Sequence, residues 1–437
     1  MTSASAVVFI ALAIAMLLGM LNNPYAGLVV FVAIPLVFVM GLVLIPLGIR
    51  LERQKPATQS VASTDWPVVD FRIAHVRRTA LALAALTAVN IVIILLAGYG
   101  SLHWMESPGF CGQACHTPMH PQFTAWQNAT HARIACVECH IGDGPRAFLH
   151  AKLSGVRQLV HVATGSYPRP IPPGAEMPPG AQAQTCLGCH RPDHVPGDEI
   201  RLIREYADDQ TSSETLTILQ MHLGSSSTSG RAIHWHANPA VRVEYVATDE
   251  ARQNIPVVRV TDAKGSVKEY VTPGTPADVI SGPERAMDCI DCHNTVGHPI
   301  APTPEKAVDG AIAAGLVSRE LPHARREAVK LMTAHANGTD GNGAAAIERE
   351  LRDFYKSEGG SIDQKALTDT VSTLQDLYRT NVFPAMKVTW GSYPENKGHI
   401  TSNGCFRCHD GTHEAKDGST ISSDCEYCHK QIERELD

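Results

Sequence analysis

No cysteine in this sequence stands alone. The twelve fall in six close pairs, Cys111/Cys115, Cys136/Cys139, Cys186/Cys189, Cys289/Cys292, Cys405/Cys408 and Cys425/Cys428, with none left over. Also missing is any excess of basic charge: the formal net charge is −7, so a nucleic-acid partner is not indicated. The N-terminus lacks the basic n-region of a cleaved signal peptide, and a second apolar stretch follows the first at once. A removed leader is therefore the weaker reading of that segment.

What is there is a histidine directly after every pair: His116, His140, His190, His293, His409 and His429. Five of the six motifs read C-x-x-C-H, the pattern of c-type haem attachment. The first, Cys111-Gly-Gln-Ala-Cys115-His116, has one more residue between its thiols. Two thiols reach the two vinyl groups on one edge of a porphyrin, while the adjacent imidazole turns under the ring to ligate iron. Zinc sites also use C-x-x-C pairs, but zinc gives no reason for a histidine after every second cysteine. A disulfide framework gives none either. The reading is six covalent haem c groups. A length of 437 residues suggests about three domains, but haems fill much of an interior themselves, so such segments are loop-rich.

Three uncharged apolar stretches precede the first motif. Ala6–Leu21, extended by Thr2–Ser5, is nearly long enough to cross a bilayer; Tyr25–Ile49 and Thr79–Tyr99 are long enough. The break at Asn22-Asn23-Pro24 makes a transmembrane hairpin of residues 1–50. Arg50, Arg53, Lys55, Arg72, Arg77 and Arg78 crowd the loop 51–78, which the positive-inside rule puts in the cytoplasm. The anchor 79–102 then delivers the rest to the outer, periplasmic side of a cytoplasmic membrane, as a multi-pass protein in the lipid bilayer.

Residues 103–196 carry haem sites 1–3, with a proline-rich connector at Ser166–Gly180. Residues 197–285 lack cysteine and read partly as β, with a strand at Val241–Ala247 and a hairpin of Ile255–Thr261 and Val267–Val271 around Ala263-Lys264-Gly265. Residues 286–437 carry sites 4–6, with helical patterns over Thr303–Thr333 and Asn342–Arg379. The fold class expected is a membrane-anchored multihaem cytochrome c: three transmembrane helices, then a haem-packed, mostly α domain with a small β insertion.

A low-spin electron-transfer haem needs a second axial ligand, most often His or Met. Fifteen of the 21 histidines lie outside the motifs. His120, His194, His298 and His413 sit just after one, within reach of a neighbouring iron. His131 and His399 sit just before one. The segment Ile233-His234-Trp235-His236, read as a strand, puts two imidazoles on one face. His161 is a further candidate. Met119, three residues after His116, could ligate the first haem or simply pack on it. The bland alternative for each histidine is an exposed or propionate-bonding ring.

From the third span through Gly165 the chain resembles the NapC/NirT family of membrane-anchored quinol dehydrogenases. The residues that carry the likeness are CGQACHTPMHPQFTAW, then HARIACVECHIGDG, then HAKLSGVRQLVHVATG. Within them stand Met119, Pro121, Trp126, His131, Cys136/Cys139/His140 and Lys152. Family members commonly have four haems and one anchor; this chain has six motifs and three apolar stretches. The resemblance implies a quinol site beside the first haem, with His150, Lys152 and Gln158 on the following basic segment, near Arg157 and His161.

Only about eleven residues separate Tyr99 from Cys111, so the first haem is expected near the lipid headgroups. The expected function is oxidation of membrane quinol at haem 1 and transfer along haems 2–6 to a periplasmic cytochrome or a membrane-complex redox partner. Two alternatives stand beside it. One is a terminal reductase with an open haem; the other is a non-catalytic conduit inside a larger complex.

Overall fold

The computed structural model describes residues 2–17, 20, 29–53, 71–114, 116–142, 144–172, 185–191, 197–224, 232–337, 342–359 and 361–436. These form two compact units, Met1–Cys115 and His116–Asp437.

In the first unit, helix α1 spans Thr2–Leu17. A π-helical turn at Val29–Ala33 leads into helix α2, Ile34–Arg53. Helix α3 spans Ala74–Met105, 32 residues or about 48 Å at 1.5 Å per residue, more than a bilayer's hydrocarbon core. Its leucines and isoleucines, Leu81, Leu86, Ile91 and Leu95 among them, are mostly exposed, an arrangement that lipid satisfies and water does not. Among the described residues it alone is both long and apolar enough to cross a membrane. Helix α1 and the π-helical turn pack on α3 through Phe9, Val30 and Ala97. The Asn22-Asn23-Pro24 break and Lys55 lie outside the described residues.

In the second unit, helix α4 (His116–Gln127), the one-turn helix α5 (Cys136–His140) and helix α6 (Gly144–Thr164) come first. Ala125 of α4 packs with Ile300, Phe383 and Met386, and Gln122 donates to the Tyr393 hydroxyl at 3.0 Å. These contacts tie the N-terminal haem motifs to the C-terminal segment.

Two antiparallel sheets follow. Strands β1 (Asp198–Tyr206), β2 (Glu214–His222) and β8 (His429–Leu436) form one, in the order β1-β2-β8. The other has the order β6-β3-β4-β5-β7: β3 is Arg242–Val246, β4 Val257–Thr261, β5 Val267–Val271, β6 Arg285–Ala286 and β7 Glu414–Ala415. The expected strand and hairpin are β3, β4 and β5. Gly265, at φ 79°, closes the hairpin, and Asp262 accepts from the Lys264 and Ser266 amides. The expected boundary at residue 285 is crossed by both sheets, since β7 and β8 come from the C-terminal segment. The hairpin β1/β2 was not anticipated.

The segment 233–236 is not a strand. It is a 3₁₀ turn, Ile233–Ala237, in which side chains two apart diverge instead of sharing a face.

The helical patterns resolve into four helices: α7 (Pro304–Ala313), α8 (Ala324–Ala334), α9 (Gly343–Glu358) and α10 (Gln364–Asn381). Thr303 and Asp363 cap α7 and α10, and Gly359 at φ 71° ends α9, splitting the single expected pattern in two. Ile347 and Leu351 of α9 face Leu367, Val371 and Leu374 of α10 in one buried core. Each such side chain contributes about 1.5–3 kcal/mol by burial. This haem-free module stands between the fourth and fifth motifs.

Candidate functional site

Each described motif folds as one tight helical turn. The amides of His190, His293 and His409 donate to the carbonyls of Cys186, Cys289 and Cys405 at 2.8, 2.8 and 3.0 Å. This closure gathers two thiols and an imidazole on one side of the turn. Local capping sets it: Asp288 accepts from the Ile290 amide while Asp291 accepts from the Asp288 amide, and Asp424 accepts from Glu426. Gly404 must be glycine, because a Cβ there would collide with the Gly398 carbonyl that receives the Cys405 amide. For the first motif, Cys115 lies outside the described residues, as does the side chain of His116.

The other five motif histidines each face one further imidazole. His140 faces His298 at 5.9 Å between ring centres, and His190 faces His131 at 6.1 Å. His293 faces His234 at 6.2 Å, His409 faces His236 at 5.9 Å, and His429 faces His399 at 6.1 Å. A ligating nitrogen sits about 2 Å from a first-row metal and about 1 Å from its own ring centre, so two trans imidazoles stand about 6 Å apart. All five pairs fit one iron between them. Among the described residues no three His, Cys, Asp or Glu side chains converge on a bare ion. Two axial donors per site suit a macrocycle that brings four nitrogens of its own.

The second nitrogen of several rings is tied down. Nδ1 of His234 donates to the Leu223 carbonyl at 2.6 Å, Nδ1 of His236 to Ile233 at 2.8 Å, Nδ1 of His298 to Gln122 at 3.0 Å and Nδ1 of His409 to Ser422 at 2.8 Å. That bond selects the tautomer whose Nε2 carries the free lone pair a metal needs. Burial holds the His140 imidazole down at about 4, with His298 opposite adding to the effect, and burial lowers His236, His293, His298 and His429 as well. The rings stay neutral, which is the ligating form.

Successive motifs are neighbours. Cys139 lies near Cys189, Cys186 near Cys289, Cys292 near Cys405, and Cys405 near Cys428. Burial pushes the Cys292 thiol up to about 11 and Cys408 to about 12. Motifs two to six thus form one chain in sequence order.

Of the candidate distal ligands, His131, His234, His236, His298 and His399 face motif histidines. His413 does not: it is buried, its Nε2 donates to the Ile255 carbonyl at 2.7 Å, and its Nδ1 stands 3.1 Å from Asp410. Neither nitrogen is left for a metal. His120 is exposed and packs edge-on against Phe383, and the exposed His161 shares a hydrogen bond with Ser166. Met119 is half-buried on α4. His194 lies outside the described residues. The carbonyls that orient the rings were not anticipated, nor was Phe406, which stacks on His399 at 4.4 Å. Backbone acceptors leave no mark in a sequence.

Helix α6 carries the three candidate quinol residues. His150 and Gln158 are exposed and share one face, while Lys152 lies about 200° round the helix, its Nζ over the Phe148 ring at 4.9 Å. Gln158 also reaches Ser154.

Residues 74–170 match the N-terminal region of the NapC/NirT cytochrome c family. This span runs from the start of α3 past the end of α6. The cytochrome c-type protein ImcH of Geobacter sulfurreducens is 36% identical over 423 residues, covering 94% of this chain and 82% of that protein. The cytochrome c-type protein NrfH of Wolinella succinogenes is 26% identical over 106 residues, 24% of this chain and 59% of its own. No solved structure matches.

Proposed function

The chain belongs to the NapC/NirT cytochrome c family, a membrane-anchored line of electron-transport proteins with covalent haem, and from that premise we propose a hexahaem quinol-oxidising electron carrier. It takes electrons from membrane quinol beside the first motif and delivers them to a periplasmic or membrane redox partner. The observation that carries this reading is the set of five imidazole pairs at 5.9–6.2 Å, strung in sequence order.

Haem c, when bound, supplies reversible one-electron carriage at each motif. The chain's own part is to fix where each group sits. The cysteine pairs would attach it, and at sites two to six the motif histidines would hold its iron together with His298, His131, His234, His236 and His399. The first site is built from Cys111, Cys115 and His116, with Met119 and His120 as its candidate sixth ligands. Cys111 follows six positions after Met105, where α3 ends, which supports a first site at the membrane surface. Oxidising one quinol releases two electrons and two protons, so a proton acceptor must stand beside the ring oxygens. His150, Lys152 and Gln158 on α6 are the groups assigned there. The topology that goes with this reading is three spans with the haem domain in the periplasm.

An imidazole pair at each of five sites, which would leave those irons no free position, favours transfer over a reductase. The test is direct. Full-length protein in detergent, mixed with menaquinol or ubiquinol, is expected to show rapid reduction of its haem bands. Haems that reduce with dithionite but not with either quinol would overturn the proposal.

A further inference from the structure

The 3₁₀ turn Ile233–Ala237 stands between two motifs. His234 lies 6.2 Å from His293 of the fourth motif with the ring planes 4° apart. Two residues on, His236 lies 5.9 Å from His409 of the fifth motif with the planes 89° apart. Both rings are fixed independently, one by the Leu223 carbonyl and the other by the turn's own Ile233 carbonyl. Trp235 between them packs edge-on to His236 and into the core of the five-stranded sheet beside Cys408. The two motifs are also joined to each other, since Arg407 of the fifth donates to the Asp291 carbonyl of the fourth.

We propose that this turn is a single clip that supplies the distal ligands of the fourth and fifth haems, and that its geometry makes the two haems electronically unlike. The inference rests on the haem reading above. A 3₁₀ turn projects residues i and i+2 in different directions, so one short segment can serve two sites only by presenting its rings differently. The planes of two trans imidazoles set how the iron's π-type d orbitals split. Parallel rings pull on one orbital and separate the pair, giving a rhombic low-spin ferric centre. Perpendicular rings act on both orbitals alike and leave them nearly equal, giving a strongly axial centre with one dominant large-g feature. Ligand orientation is a lever the protein holds through its outer hydrogen bonds. Of the remaining pairs, His399/His429 at 26° and His140/His298 at 41° fall toward the rhombic class, and His131/His190 at 67° toward the axial one.

The experiment is low-temperature electron paramagnetic resonance on oxidised full-length protein, with haem content measured alongside. His236→Met is expected to remove one haem equivalent of strongly axial intensity and to add the near-infrared band of a methionine-ligated haem. His234→Met is expected to remove one rhombic equivalent and leave the axial intensity untouched. Axial intensity that His236→Met leaves undiminished, or that falls with His234→Met, overturns the clip. If His236→Met does not accumulate, His236→Gly purified in imidazole takes its place, and washing out the imidazole should expose one high-spin haem; no high-spin haem would also overturn the proposal. Wild-type protein with fewer than six haems would instead count against the hexahaem reading, and quinol reduction is scored separately.

Discussion

Arg407 Nη2 donates to the main-chain carbonyl of Asp291 at 2.5 Å, so the interior residue of one C-x-x-C turn is bonded to the interior residue of another. Both side chains are buried, at 8% and 1% exposure, although interior motif positions have no attachment role of their own. Arg407 also donates to the Gly404 and Arg252 carbonyls. The Asp291 carboxylate accepts from Tyr245 at 2.7 Å and lies beside Arg252 and Arg285. Arg407→Ala strands three carbonyls at once. With each buried unsatisfied group costing about 1–3 kcal/mol, a loss of roughly 3–5 kcal/mol is expected. A fall in Tm seen together in the far-ultraviolet and haem bands would check it, and Arg407→Lys should recover only part.

On the proposed reading, the contrast between His298 and His413 separates a ligand from scaffold. His298 faces His140 and its Nδ1 donates to the Gln122 carbonyl, so His298→Ala should convert one haem to high spin and, by stranding that one carbonyl, cost about 1–3 kcal/mol. His413 has both nitrogens engaged, so His413→Ala should leave every haem low-spin and cost about 2–4 kcal/mol. Magnetic resonance counts the high-spin centres, and thermal melts measure the loss. A high-spin haem in the His413 variant would mean that the assignment is wrong.

The motif turns were legible because a close cysteine pair followed by histidine is a fixed local spacing. Which imidazole meets which motif was not legible, because His131 reaches past its neighbour Cys136 to the third motif and His399 past Cys405 to the sixth. His413 has the spacing of a distal ligand, yet the Ile255 carbonyl, far away in sequence, claims its Nε2. The segment Ile233–His236 alternates apolar and imidazole as a strand would, but Asn238-Pro239 directly after it favours a turn. The hairpin β1/β2 was missed because charged residues interrupt its alternation. Those charges instead pair across the strands, Arg204 with Glu214 at 2.5 Å and Asp198 with His222 at 2.9 Å.

That last pair carries a pH dependence. Hydrogen bonds from His222 and Gln220 hold the Asp198 carboxyl below its usual range. Folding therefore favours the ionised form. The contribution is full above the ordinary carboxylate value, near 3.9, and fades as pH falls from there through the lowered value. Strand β2 also pairs with β8, which begins at His429, so loosening should reach the last motif. Hydrogen exchange of the β2 amides is expected to speed up below about pH 4. Asp198→Asn should show the faster exchange at neutral pH and lose the acid step. An acid step of unchanged size in that variant would assign it to another group.

In the proposed reading, the α6 residues take up the protons that quinol gives up. A lost general base costs at least about 100-fold in rate, whereas a lost hydrogen bond to a ring oxygen costs much less. His150 and Gln158 share an exposed face, while Lys152 turns toward Phe148. A quinol resting on the exposed face would use His150 as proton acceptor, with Gln158 holding a ring oxygen. A quinol entering on the other side would use Lys152. The expected outcome is that one of His150→Ala and Lys152→Ala slows quinol-driven haem reduction by roughly 100-fold and the other by a few-fold at most. Gln158→Ala should follow His150 in kind, with a smaller loss, if the exposed face is the one in use. Dithionite should reduce all three variants at the wild-type rate, because it bypasses the quinol site. Stopped-flow traces at the haem band with both reductants separate these cases. Wild-type quinol rates in all three variants would move the site off this helix.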